Sequence, residues 1–109
     1  TLNEIAHTSN LGIEVWEKEI PIKPAVKKMC DILGFDPLYI ANEGKVIIIL
    51  PRDETVAALA ILRQHPLGRM ATRIGEVKST PNHRVLLKTL IGGTRILDIL
   101  AGEMLPRIC

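Results

Sequence analysis

The sequence is nearly without aromatic residues, with one Phe, one Tyr and one Trp in 109 positions. That scarcity excludes a core of stacked rings. It also argues against a nucleic-acid surface built on aromatic platforms for unpaired bases. Cysteine is equally sparse: Cys30 and Cys109 are the only two. Two thiols so far apart in sequence make no disulfide framework, so the expected compartment is a reducing cytoplasm. No apolar run approaches the ~20 residues of a membrane span, and no signal-peptide pattern is present. There is no large excess of charge of one sign, since 14 basic and 12 acidic residues leave a net +2. Arg63, Arg69, Arg73, Lys78, Arg84 and Lys88 crowd one third of the chain. Without aromatics beside them they read as solvated surface, and nucleic acid is not expected as a partner.

What is present is aliphatic. Residues of the apolar class make up 47% of the chain, so the core must come from Ile, Leu, Val and Ala, and the length suits one domain. The spacing of Leu2, Ile5 and Ala6 in "TLNEIAHTSN" predicts an amphipathic helix from the first positions. With Thr1 in place of Met, this suggests a piece of a longer chain. "GIEVWEKEIPI" alternates Ile13 and Val15 with Glu14, a half-buried strand ended by Pro21 and Pro24. "PAVKKMCDILG" has Pro in its first turn, Val26, Met29, Cys30 and Leu33 on one face, and Gly34 as a stop. Cys30 is thus expected to be a buried small hydrophobe. The β-branched run Val46 to Leu50 predicts a buried strand, and Asp53 is placed to cap the helix "DETVAALAILRQ", closed by "HPLG". "ATRIGEVK" and "RVLLKTLI" are two more strands, joined by "STPNH". The rest, "GGTRILDILAGEMLPRIC", is a loop, a short apolar piece and a tail. This order predicts an α+β domain over residues 1–101, a mixed sheet covered by helices, with residues 102–109 as a mobile tail.

Few constellations carry chemistry. No phosphate loop, dinucleotide fingerprint, zincin motif or clustered Cys/His spacing occurs. His7, His65 and His83 are scattered, which suits surface or capping roles. Gly92 and Gly93 would let backbone approach a ligand, but a plain turn requires the same residues. The tail stands out. Pro106 prevents helix there and biases Leu105 toward an extended form, so "LPRIC" should project as an arm. From Gly102 that arm reaches at most roughly 28 Å. Cys109, at its tip, has an ordinary thiol pKa of about 8.5, and its own α-carboxylate further disfavours the thiolate. Arg107 is the local counter-charge. Prenylation is not supported, because that signal needs three residues after the cysteine.

"LNEIA", "DPLYIANEGK", "HPLGRMATRIGEV" and "GGTRILDILAGEMLPRIC" together, in that order, resemble the HypE family of hydrogenase expression/formation proteins. These are carbamoyl dehydratases of the aminoimidazole-ribonucleotide-synthetase-like superfamily. The resemblance covers essentially the whole chain, and the terminal Pro-Arg-Ile-Cys is its most specific element. It implies the C-terminal domain of a two-domain, homodimeric cytoplasmic protein whose N-terminal domain supplies most ATP and magnesium contacts, so that this piece alone is expected to bind no cofactor and to be inactive. It further implies that a HypF-type carbamoyltransferase loads a carbamoyl group onto the sulfur of Cys109. ATP-driven dehydration then gives a thiocyanate, and cyanide passes to iron on a HypC–HypD-type scaffold as a ligand for [NiFe]-hydrogenase. By the same resemblance Glu43 is the catalytic base, with Asn42 and Gly44 shaping its loop. Gly92 and Gly93 accommodate the tail root or substrate, and Pro106, Arg107 and Ile108 dock the tail or contact partners; no metal ligand is implied. By residue type alone Glu43 is a solvated turn glutamate. The alternative function is a non-catalytic domain whose tail only binds partners. A thiol redox role ranks last, because CxxC and a resolving cysteine are lacking.

Overall fold

A computed structural model of the chain describes residues 1–99. They divide into two compact units, Thr1–Pro21 with Asp53–Ile99 and, separately, Ile22–Arg52.

The first unit is built on a mixed sheet. Helix α1 (Leu2–Ser9) is followed by β1 (Gly12–Trp16), and after α3 (Thr55–Gln64) come β2 (Gly75–Lys78), β3 (Val85–Lys88) and β4 (Thr94–Ile96). The strand order is β2-β1-β3-β4. β1 runs antiparallel to β2 and parallel to β3, and β3 runs antiparallel to β4. The alternation legible in "GIEVW" becomes the two faces of this sheet. Ile13 lies opposite Val85 and Val15 opposite Leu87 in parallel register. All four are buried, and Ala6 of α1 is buried with them, α1 lying against β1 and β3. Each such aliphatic side chain contributes about 1.5–3 kcal/mol on full burial, so this cluster is the main source of stability in the unit. Helix α1 ends at Asn10, whose φ of 58° is a left-handed conformation that Asn tolerates.

The second unit holds α2 (Pro24–Leu33), with Pro in its first turn as expected. Gly34 closes it at φ 71°, and both Gly34 and Phe35 donate their N–H groups to the Cys30 carbonyl. Cys30 is 2% exposed, in agreement with its reading as a buried hydrophobe. Its expected companions are not buried with it, for Val26, Met29 and Leu33 are all exposed.

Three local expectations are corrected. Residues 45–50 form no strand, and Val46 is 77% exposed with Ile47, Ile48 and Ile49 also outside any core. β-branched composition makes a segment fit a sheet, but a strand exists only once its N–H and C=O groups find a neighbour, which composition does not supply. Asp53 does not cap α3. Arg52–Glu54 is a 3-10 turn that runs straight into the helix, and Glu54 at its start makes no side-chain cap bond. A third strand of the C-terminal half, β4, was expected only as loop and apolar piece. It forms because the turn at Thr89–Gly93 folds Thr94–Ile96 back onto β3.

Candidate functional site

The residues expected to carry chemistry fall in three places. Asn42, Glu43 and Gly44 form an exposed bend in the second unit, between Tyr39 and the apolar run. Gly44 has φ 79°, a left-handed conformation that admits glycine without strain and turns the chain sharply after the carboxylate. Glu43 is exposed and has no hydrogen-bond or ion-pair partner among the described residues. Gly92 and Gly93 lie in the first unit, in the turn joining β3 to β4. Gly92 has φ 86°, and its N–H donates to the Thr89 carbonyl at 3.1 Å while the Gly93 N–H donates to Thr89 Oγ1 at 2.9 Å. Gly92 also lines a cavity of about 370 Å³ shared with Trp16, Lys18, Lys88, Thr89 and Leu90. Pro106, Arg107, Ile108 and Cys109 lie outside the described residues.

Behind the turn, the face of the sheet opposite the aliphatic core is charged. Lys78 Nζ reaches Glu76 at 3.1 Å and Glu14 at 3.5 Å, and Arg73 pairs with Glu76 at 3.1 Å. The Arg73 guanidinium also sits 4.9 Å from the Trp16 ring centre, a cation–π contact, while Trp16 Nε1 donates to Glu14 at 3.2 Å. The hydrogen bond to Glu76, and next the charge of Glu14, hold the Lys78 ammonium above the usual lysine range. Most of the crowded basic residues are thus surface, as read from composition, with Arg73 and Lys78 tied into this lattice.

The histidines are the residues whose placement the sequence conceals. His65 caps the turn after α3, accepting the Leu67 N–H on Nδ1 at 3.1 Å. His7 and His83 are not scattered. Their Nδ1 atoms are 3.3 Å apart with rings nearly perpendicular. No motif spacing signals a pair so remote in sequence. The sole hint is Asn10, a residue suited to end α1 where the β2–β3 turn comes to meet it.

Among the described residues no three His, Cys, Asp or Glu side chains gather where a metal ion would be held. No step through magnesium or ATP is placed on these residues. No helix among them is long and apolar enough to cross a membrane.

The mixed sheet with its aliphatic core, its charged reverse face and its glycine turn are those of a known domain class. Residues 1–88 match the family model of the AIR synthase related protein, C-terminal domain, and the chain belongs to that family. Along its full length the chain is 52% identical to the carbamoyl dehydratase HypE of Bradyrhizobium diazoefficiens, spanning 32% of that protein. It thus spans about a third of the length of the curated relatives it matches. Among solved structures it is similar to hydrogenase maturation protein HypE in complex with ATP, at 47% identity and TM-score 0.90, covering 99% of this chain and 33% of that one. It is likewise similar to a chain of a HypE–HypF complex, at 40% identity and TM-score 0.82, covering 89% of this chain and 31% of that one. The family resemblance read from "DPLYIANEGK" and "GEMLPRIC" is borne out, and so is the α+β class with a mixed sheet.

Proposed function

We propose that this chain is the C-terminal domain of a cytoplasmic carbamoyl dehydratase that makes the cyanide ligands of [NiFe]-hydrogenase, with Cys109 as acceptor. The observation that carries the reading is the 52% identity to a carbamoyl dehydratase HypE across all 109 residues. A HypF-type carbamoyltransferase is the partner that loads the sulfur, a reading supported by the likeness to the HypE–HypF complex. ATP, with magnesium, is the dehydrating co-substrate of the whole protein, supported by the likeness to the ATP-bound HypE structure. The cyanide acceptor is iron on a HypC–HypD-type scaffold, and the whole protein works as a homodimer.

In this reading the residues of this chain have separate tasks. Attack of the Cys109 thiolate on the carbamoyl carbon forms the C–S bond as the bond from that carbon to the group that carried it on the carbamoyltransferase breaks, that group leaving with the electron pair and the thiol proton passing to solvent. Dehydration then breaks the C–O bond, the carboxamide oxygen leaving as phosphate once it has taken the phosphoryl group that ATP would supply, while both N–H protons are lost, one to Glu43 and the other to solvent. Its carboxylate is available for this because no lysine or arginine among the described residues pairs with it. Arg107, Pro106 and Ile108 dock the tail or contact the partner, Asn42 and Gly44 shape the Glu43 loop, and Gly92 and Gly93 leave room for close approach of the tail root or substrate.

The test is the mass of the full-length protein after incubation with the carbamoyltransferase, carbamoyl phosphate and ATP. Cys109→Ala abolishes the carbamoyl mass increase, whereas Cys30→Ala, which alters a buried helix position, retains it. Loading that survives in the Cys109 variant overturns the assignment.

A further inference from the structure

We propose that Val46–Leu50 is an uncompleted sheet strand, and that a β-strand from the part of the whole protein beyond this domain pairs along it. The inference rests on the reading of this chain as one domain of a longer carbamoyl dehydratase.

The run carries the side chains of a sheet interior. In an extended chain Val46, Ile48 and Leu50 fall on one face and Ile47 and Ile49 on the other. Neither face is polar, which is the pattern of a strand covered on both sides. Here it has neither cover nor neighbour. Val46 is 77% exposed and Ile47, Ile48 and Ile49 between 41% and 52%. No backbone hydrogen bond joins Lys45–Leu50 to any described residue.

The unit that holds the run does not supply the cover. Among the described residues of Ile22–Arg52, Cys30 is the one buried side chain, and α2 leaves Val26, Met29, Ile32 and Leu33 exposed. A segment shorter than roughly 40 residues does not usually sustain a core of its own without a disulfide, a metal or a partner. Cys30 is a free thiol and offers no such staple. An apolar strand with an open edge is a template for aggregation, which folded proteins avoid by keeping it covered. Contacts this apolar are characteristic of permanent interfaces and not of transient encounters. The cover therefore belongs to the same polypeptide. The chain spans 32% of a HypE relative to which it is 52% identical, so in a protein of that length the greater part lies beyond these residues and furnishes the strand.

Pairing also bears on the proposed base. Glu43 precedes Val46 by three residues, at most roughly 11 Å along an extended chain. Gly44, at φ 79°, turns the backbone from the carboxylate into the run. A strand laid along Val46–Leu50 thus seats the exposed Glu43 bend against the remainder of the protein, the part expected to hold ATP.

The test is residue-resolved amide hydrogen exchange of the full-length protein, with carbamoyl loading of Cys109 measured on the same sample. Alternate amides of the run, either Val46, Ile48 and Leu50 or Ile47 and Ile49, should exchange at least about 100-fold more slowly than in a free peptide of that sequence. The protection should survive dilution past the point at which the homodimer separates. After cleavage at a protease site engineered ahead of Thr1 the two pieces should remain associated, and Ile48→Lys, which places a charge in the sheet interior, should weaken that association by about tenfold or more while Ile48→Val leaves it. Exchange at the free-peptide rate overturns the proposal, and leaves the carbamoyl reading standing if Cys109 still loads. Protection lost on dilution gives the run to a second copy and overturns it as well. So does unchanged association in a folded Ile48→Lys protein. Should that variant fail to fold, the protection in the parent protein decides the matter alone.

Discussion

Glu14 and Glu76 face each other directly across β1 and β2, like charges in register on the polar face of the sheet. Opposed carboxylates destabilise an antiparallel pair unless a cation lies between them, and Lys78 bridges both. Lys78→Met should therefore lower the melting temperature, more so at low salt, where the repulsion is less screened. The pH dependence has a definite sign. A lysine held above its ordinary value, near 10.4, contributes stability that is fully present below that value and is lost as pH rises through the raised one. Thermal melts of both proteins across the alkaline range should show the gap constant at neutral pH and narrowing above about pH 10.4. A gap that widens there contradicts the bridge.

A second prediction concerns Gly75, opposite Val15 in the same pair of strands. A Cβ at this position would strike the Glu14 carbonyl oxygen and stand 2.9 Å from Val15 Cα, both backbone atoms of a central strand. Neither moves without shifting β1 against its aliphatic cluster. Gly75→Ala should cost about 1–3 kcal/mol, the usual scale of overpacking. Gly34→Ala meets no atom within 4 Å and is strained only through its φ of 71°. Urea unfolding of the two variants separates collision from backbone strain.

Glu43→Gln tests the proposed base. The substitution keeps side-chain volume on an exposed bend, so folding and carbamoyl loading of Cys109 in the full-length protein should persist. Only removal of the nitrogen proton should fail, slowing dehydration on the order of 100-fold to 10,000-fold. Intact mass would then show a carbamoylated protein that no longer loses one water when ATP is supplied. Thiocyanate forming at the parent rate would reduce Glu43 to a turn residue.

Much of the fold was legible because its signals are local. Alternation in "GIEVW" marked β1, Pro24 and Gly34 bracketed α2, and "HPLG" closed α3, each a matter of neighbouring side chains or permitted φ. The errors share another cause. Val46–Leu50 has strand composition without strand pairing, and Thr94–Ile96, only three residues long, pairs with β3. Pairing depends on what another segment presents. The bends at Glu43 and Gly92 were likewise placed as turns, because glycine at positive φ leaves a mark in sequence.

The sequence by itself carried the resemblance to HypE, through a terminal Pro-Arg-Ile-Cys and internal stretches in fixed order, and the α+β class, through apolar periods of two and of about 3.6. Only the tertiary structure decided which strands lie side by side, that Glu14 confronts Glu76, and that His7 and His83 come within 3.3 Å. Periodicity is written into consecutive residues. Juxtaposition is not, because the parallel pairing of β1 with β3 draws together residues separated by most of the chain, and that choice is made by burial of Ile13, Val15, Val85 and Leu87 as one cluster.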